Sequence, residues 1–226
     1  IYTMQEEGVD LIELGVPFSD PAADGPVIQR ADERALAQGV DIFKVFELVR
    51  KIRNNVEVPM VFLLYYNVMV QYGIEKFFKR CQETGVDGLI IPDLPYEEND
   101  EIKEYTEKYG VYQISLVSPT SKDRIKNIAK DAKGFLYCIS SLGVTGEKSS
   151  FVTNFDEFVG TIKKYTDVPA CVGFGVSNGK QVKELTKYFD GAIVGSAIVK
   201  SIATGESVEE RINNLREKIK DLKSGL

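Results

Sequence analysis

The chain contains no histidine. Proton transfer near neutral pH must therefore run through Asp, Glu, Tyr, Cys or Lys. Cysteine is scarce as well. Cys81, Cys138 and Cys171 lie far apart and show no CxxC spacing. An odd, sparse count is the pattern of free buried thiols in a reducing compartment. Without histidine, nothing completes a structural zinc site, so no metal is expected. No apolar run approaches the ~20 residues of a membrane helix. No signal-peptide pattern is present. A basic surplus is also missing: 28 Lys and Arg stand against 34 Asp and Glu, a net charge of −6. The basic residues are interleaved with acids, which does not suit a nucleic-acid binder. A cytoplasmic protein that binds neither membrane nor nucleic acid is the expectation.

What is present is a rhythm. Short apolar runs recur at Val9–Leu14, Met60–Leu64, Gly88–Ile91, Val111–Leu116, Phe135–Ile139, Ala170–Val172 and Gly191–Val194. Amphipathic segments lie between them, at Ile42–Asn54, Ile74–Thr84, Glu97–Tyr109, Lys122–Ala132, Phe155–Tyr165, Lys180–Tyr188 and Val208–Lys223. In Lys122–Ala132, for example, Ile125, Ile128, Ala129 and Ala132 fall on one helical face and Lys122, Asp123, Lys126 and Lys130 on the other. Continuous apolar strands alternating with helices predict βα units and a parallel sheet covered on its faces. Gly8-Val9-Asp10, Gly85-Val86-Asp87 and Gly110-Val111-Tyr112 read as helix-to-strand turns, with the glycine ending the helix in the left-handed conformation. No linker-like shift in composition interrupts the series, so residues 1–226 read as a single domain. A closed (β/α)8 barrel needs eight strands. Only seven are visible, and Ile1–Glu7 reads as the end of a helix. The expectation is a (β/α)8 TIM barrel lacking its first βα unit, which when expressed alone folds poorly or aggregates.

Two late strands end in glycines, in Gly173-Phe174-Gly175-Val176-Ser177 and in Gly195-Ser196-Ala197. Glycine at a strand end lets backbone N–H groups approach an anion. A short helix from Ser196 would aim its dipole at the same point. In these barrels the last two strand ends are the usual phosphate site; plain capping by Ser177 or Ser196 is the simpler alternative. A longer loop, Leu142–Ser150, contains two glycines and suits a mobile lid or a plain exposed connection.

The densest chemistry lies in ELGVPFSDPAADGP, Glu13–Pro26, which holds three carboxylates and three prolines. Glu13 stands near the C-terminal end of an apolar strand, where barrel active sites lie. A carboxyl in that setting has a raised pKa and can donate a proton near neutrality. Asp24 follows on a loop stiffened by Pro17, Pro21 and Pro26, which suits a group held in a fixed position. The competing readings are a surface acid at a frayed strand end for Glu13 and turn formation for Asp20 and Asp24.

ELGVPFSDPAADGPVIQRA closely resembles the signature of the tryptophan synthase alpha subunit family. So do Tyr65-Tyr66-Asn67, Gly88–Pro95, the Gly143–Gly146 stretch GVTG, Gly173–Ser177 and Val194–Ala197, in the family's order and spacing. The resemblance implies a lyase that cleaves indole-3-glycerol phosphate to indole and glyceraldehyde 3-phosphate in tryptophan biosynthesis. It implies a beta-subunit partner in an alpha2beta2 complex, with pyridoxal phosphate on the partner and no cofactor on this chain. It also implies roles. Glu13 matches the catalytic acid/base, Asp24 the acid that engages the indole N–H, and Tyr137 a tyrosine near the reacting carbons. Thr145 matches the lid threonine that meets the Asp24 loop. Gly146, Phe174, Gly175, Gly195 and Ser196 match phosphate contacts. Ile90 and Phe174 would sandwich the indole ring, with Tyr65 nearby. Asp20, Pro21 and Asn67 match positions facing the beta subunit. One departure stands out: Ser140-Ser141-Leu142 replaces a segment that carries an Arg in many members. Two other readings compete. A different phosphate-binding barrel would share the glycine loops but not the Glu13–Asp24 loop or GVTG. A catalytically silent subunit would only bind and activate the beta chain.

Overall fold

The computed structural model of the chain describes residues 1–121, 123–139, 154–173 and 175–226. They group into two compact units, Ile1–Gln113 and Ile114–Leu226.

The first unit runs α1 (Tyr2–Glu6), β1 (Ile12–Gly15), α2 (Pro26–Ala37), α3 (Ile42–Ile52), β2 (Met60–Leu63), α4 (Tyr66–Tyr72), α5 (Ile74–Thr84), β3 (Gly88–Ile90), α6 (Asp100–Tyr109) and β4 (Tyr112–Gln113). Its four strands form one parallel sheet in sequence order. The register joins Ile12 to Met60, Leu14 to Phe62 and Phe62 to Leu89. These side chains enter the apolar core together with Phe46 and Val49 of α3 and Phe77, Phe78 and Cys81 of α5. Because side chains alternate across a strand, the intervening residues Glu13, Val61, Leu63 and Ile90 fall on the opposite face. This alternation is what lifts Glu13 out of the helix-facing core.

The second unit runs β5 (Ser115–Val117), α7 (Arg124–Asp131), β6 (Leu136–Ile139), α8 (Phe155–Lys163), β7 (Ala170–Gly173), α9 (Gly179–Leu185), β8 (Gly191–Ala192), α10 (Ser196–Ala203) and α11 (Val208–Lys223). Its sheet is again parallel and sequential. Leu136, Cys138, Ala170 and Val172 are fully buried. Tyr137 and Gly173 alternate with them onto the other face.

All seven apolar runs contain strand. The run Val111–Leu116 is divided at Ile114, where β4 pairs with β3 and β5 with β6. Ile74–Thr84 and Val208–Lys223 form helices with the expected bounds. Gly8, Gly85 and Gly110 take φ of 75°, 78° and 66°, as their turns require. The sequence pattern missed α2 and α4. α2 fully buries none of its residues and α4 only Met69; their inward apolar positions, Val27, Ile28, Ala31 and Ala35 in α2 and Tyr66, Val68 and Tyr72 in α4, are half-buried.

One device locks both sheets. Asp87, just before β3, accepts the N–H of Met60 at the start of β2 (2.8 Å) and pairs with Arg53 (2.9 Å). Arg53 also donates to the carbonyls of Val56 and Val58. In the second unit Asp190, just before β8, accepts the N–H of Ala170 at the start of β7 and pairs with Lys163. Burial pushes the Asp190 carboxyl up, but Lys163 and the Ala170 N–H outweigh it, so its pKa lies below the ordinary value. A depressed carboxyl stabilises the fold above its unfolded pKa, and that contribution is lost as pH falls through the folded one. Asp87→Ala is expected to cost about 1–3 kcal/mol in denaturant unfolding, and Asp87→Asn less, because the amide oxygen still accepts from Met60.

Candidate active site

Glu13 occupies the second position of β1, partly exposed, between core residue Ile12 and the largely sheltered Leu14. In the sheet it lies beside Val61, and Val61 beside Gly88. The next layer is Gly15, Leu63 and Ile90, and Ile90 is fully buried. Gly88 keeps the Glu13 layer open, since a Cβ there would stand 3.2 Å from Val61 and 2.9 Å from the Tyr112 carbonyl.

Asp24 comes to the same place from the loop that follows β1. Two turns shape that loop: Ala22 N–H bonds the Asp20 carbonyl, and Asp24 N–H bonds the Pro21 carbonyl. Pro26 then opens α2 at a position where a missing N–H costs nothing. The loop is held at its tip by Tyr65, which follows β2. The Tyr65 hydroxyl donates to Asp24 Oδ2 at 2.7 Å and accepts from the Ala23 N–H at 2.9 Å. The Tyr65 ring is 5% exposed and stacks on Phe18, with centroids 5.1 Å apart and planes 24° apart. Gln29 of α2 donates to the Asp24 carbonyl at 2.8 Å. The carboxyl is thus fixed by one oxygen, and none of the bonds described here takes the other.

The two carboxyls differ in their electrostatics. Burial, and after it the charge of Asp24, pushes Glu13 up to about 7. Burial also raises Asp24, but the hydrogen bond from Tyr65 acts the other way. Asp24 therefore ionises first, and its charge delays Glu13. Tyr65 is pushed above its usual range by burial and by the bond it gives Asp24, so it remains a donor. A third acid, Asp32 on α2, is pushed up to about 6 by burial and by the same Asp24 charge. Sequence reading missed Asp32, which lies on the half-buried face of α2 with Val27, Ile28, Ala31 and Ala35.

The remaining expected residues separate into groups. Asp20 is exposed and bonded to Ser19. With Pro21, Phe18, Gln29 and Glu33 it lines a surface depression of about 340 Å³. Asn67 is exposed on the first turn of α4. In the second unit Tyr137 lies against Gly173, where an added Cβ would come within 2.5 Å of the Tyr137 hydroxyl. Only glycine leaves that ring its place. Gly175 has φ of 80°, a conformation that favours glycine. Gly195 and Ser196 are exposed, at the N-terminus of α10. Thr145, Gly146 and Phe174 lie outside the described residues, as does the whole stretch 140–153, which includes Ser140-Ser141-Leu142 and the rest of the Leu142–Ser150 loop. Among the described residues no group of His, Cys, Asp or Glu could hold a metal, and no helix is long and apolar enough to cross a membrane.

An acid whose folded pKa is raised loses native stability as pH rises above its unfolded value, here from 4.5 up to about 7. NMR titration of carboxyl-labelled glutamate should find one group with a midpoint near 7. Asp24→Asn removes the neighbouring charge and should move that midpoint down.

A family profile described as tryptophan synthase alpha chain matches residues 1–226. The tryptophan synthase alpha chain of Alkaliphilus metalliredigens is 47% identical over 99% of this chain and 85% of its own length. That of Thermoanaerobacter sp. strain X514 is 46% identical over all of this chain and 86% of its own length. A solved structure of the tryptophan synthase alpha subunit from Campylobacter jejuni superposes with a TM-score of 0.85. Its identity is 40%, over 96% of this chain and 87% of that one. The parallel α/β fold, the acid-bearing strand β1 and the whole-chain match agree, and the chain belongs to the tryptophan synthase alpha chain family.

Proposed function

We propose that Glu13 and Asp24 divide the acid–base work of the family reaction, the cleavage of indole-3-glycerol phosphate to indole and glyceraldehyde 3-phosphate. The observation that carries this reading is the pair itself: one carboxyl with a pKa near 7 beside one that ionises earlier and is hydrogen-bonded by Tyr65. The reaction is a retro-aldol cleavage of a carbon–carbon bond. Protonated Glu13 gives its proton to indole C3, which turns the ring into an electron sink. Ionised Asp24 accepts the indole N–H through its second oxygen and stabilises the charge that develops there. Glu13, now a carboxylate, takes the proton of the glycerol hydroxyl as the C–C bond breaks, and the electron pair passes into the indole ring. A group with a pKa near the working pH serves both steps, and no histidine is required.

The other residues keep the roles that the family implies. Ile90 and Phe174 flank the indole ring, and Tyr137 stands near the reacting carbons. Gly146, Phe174, Gly175, Gly195 and Ser196 hold the phosphate, whose binding energy orients the reacting end. Thr145 meets the Asp24 loop when the lid closes. For Tyr65 the geometry supports a more specific role than proximity to indole, namely orienting Asp24. The exposed Asp20, Pro21 and Asn67 face a beta subunit in an alpha2beta2 complex. That partner carries the pyridoxal phosphate, and the complex works in the cytoplasm.

The expected result for Glu13→Gln is loss of indole release by at least about 100-fold, with activation of an added beta subunit nearly intact. Parallel loss of both functions would overturn the division of roles. A Glu13→Gln variant with unchanged lysis would overturn the catalytic assignment itself.

A further inference from the structure

Asp93 follows β3 in the turn Pro92-Asp93-Leu94-Pro95. Its Oδ1 accepts the backbone N–H of Tyr66 at 2.9 Å. Tyr66 is the first residue of α4, and the N-cap residue of that helix is Tyr65, whose side chain makes no capping bond. The first N–H groups of a helix need an acceptor from outside. Here the acceptor comes from a residue 27 positions further on. Tyr65 cannot cap its own helix, because its side chain reaches the other way, to Asp24 and Ala23.

We propose that Asp93 is a positioning residue for Asp24, acting through the Tyr65–Tyr66 peptide. The proposal rests on the reading of Asp24 as the acceptor of the indole N–H. The Tyr65 ring is fixed at two ends. Phe18 and the Asp24 loop hold the phenol, and Asp93 holds the peptide group from which the ring departs. Loss of the Asp93 acceptor frees the first turn of α4 and lets the Tyr65 backbone rotate. The phenol and the carboxyl bonded to it then move together. Displacing a catalytic group by about 1 Å costs on the order of 100-fold in rate. Among the described residues two links join Asp93 to the site, its bond to the Tyr66 N–H and its charge near the Tyr65 phenol, and both act on Tyr65.

The test is steady-state indole release by the full chain with its beta subunit, for Asp93→Ala, Asp93→Asn, Tyr65→Phe, Asp24→Asn and the doubles that combine Asp93→Ala with each of the last two. Asp93→Ala should lower kcat by about 10- to 50-fold, with KM within about twofold. Asp93→Asn keeps an oxygen for the Tyr66 N–H and should retain most of the rate. In a Tyr65→Phe or an Asp24→Asn background, Asp93→Ala should add less than about twofold, because the bond it supports is gone in the first and the carboxylate it positions is gone in the second. Multiplying effects would overturn the proposal, as would an Asp93→Asn variant as slow as Asp93→Ala. If Asp93→Ala does not fold, Asp93→Ser, which keeps a shorter acceptor, is read in the same cycles. Unchanged lysis in the single Asp24→Asn variant would instead overturn the role of Asp24, which separates the two failures.

Discussion

The hydrogen bond from Tyr65 to Asp24 is the interaction on which the proposed chemistry of this site depends. Two neighbouring acids, one on an apolar strand and one on the loop beyond it, would ordinarily suppress each other's ionisation without deciding which yields. Burial raises Glu13 to about 7, and the 2.7 Å bond from the Tyr65 phenol works against the rise of Asp24, which favours the ionisation of Asp24. Asp24 ionises first, and its charge adds to burial in holding the proton on Glu13 to about 7. The same phenol takes the Ala23 N–H, so one side chain controls both the charge and the position of the loop.

That bond requires the sheet to be in register. Glu13 is clear of the helix-facing core only because Ile12 and Leu14 on either side are committed to it. A slip of one residue in β1 would bury the carboxyl among Phe46, Phe62 and Phe77 and turn Ile12 to the open face. For β2 and β7 the acceptors Asp87 and Asp190 pin the opposite ends of the strands, tying the first N–H of each to a basic residue, Arg53 just after α3 and Lys163 of α8. Stability and chemistry are thus divided between the two ends of each strand, as in other parallel α/β proteins with their sites at the C-terminal strand ends.

The strands were legible in the sequence because each is a short, continuous apolar run, and Glu13 was conspicuous as an acid within one. Helices with a buried stripe, such as Ile74–Thr84, could be read almost to the residue. α2 and α4 were missed: apart from Met69, their inward faces are only half-buried. The proposed roles of Asp24, Tyr137 and the late glycine loops came from resemblance, as composition alone allowed turns and caps. What no local pattern could reveal were pairings across the sheet. Tyr65 and Asp24 are 41 residues apart, and Tyr66 and Asp93 are 27 apart. Parallel strands meet only after a helical crossover, so their contacts carry no short-range signature.

The most direct test of the account is the pH dependence of kcat/KM for indole release, measured at limiting indole-3-glycerol phosphate with the unmodified chain and its beta subunit. A protonated Glu13 beside an ionised Asp24 predicts a rate that falls as pH rises through about 7. A rate that stays level or climbs from there to about pH 9 in folded protein would contradict it, because the proton delivered to indole C3 would then come from another group.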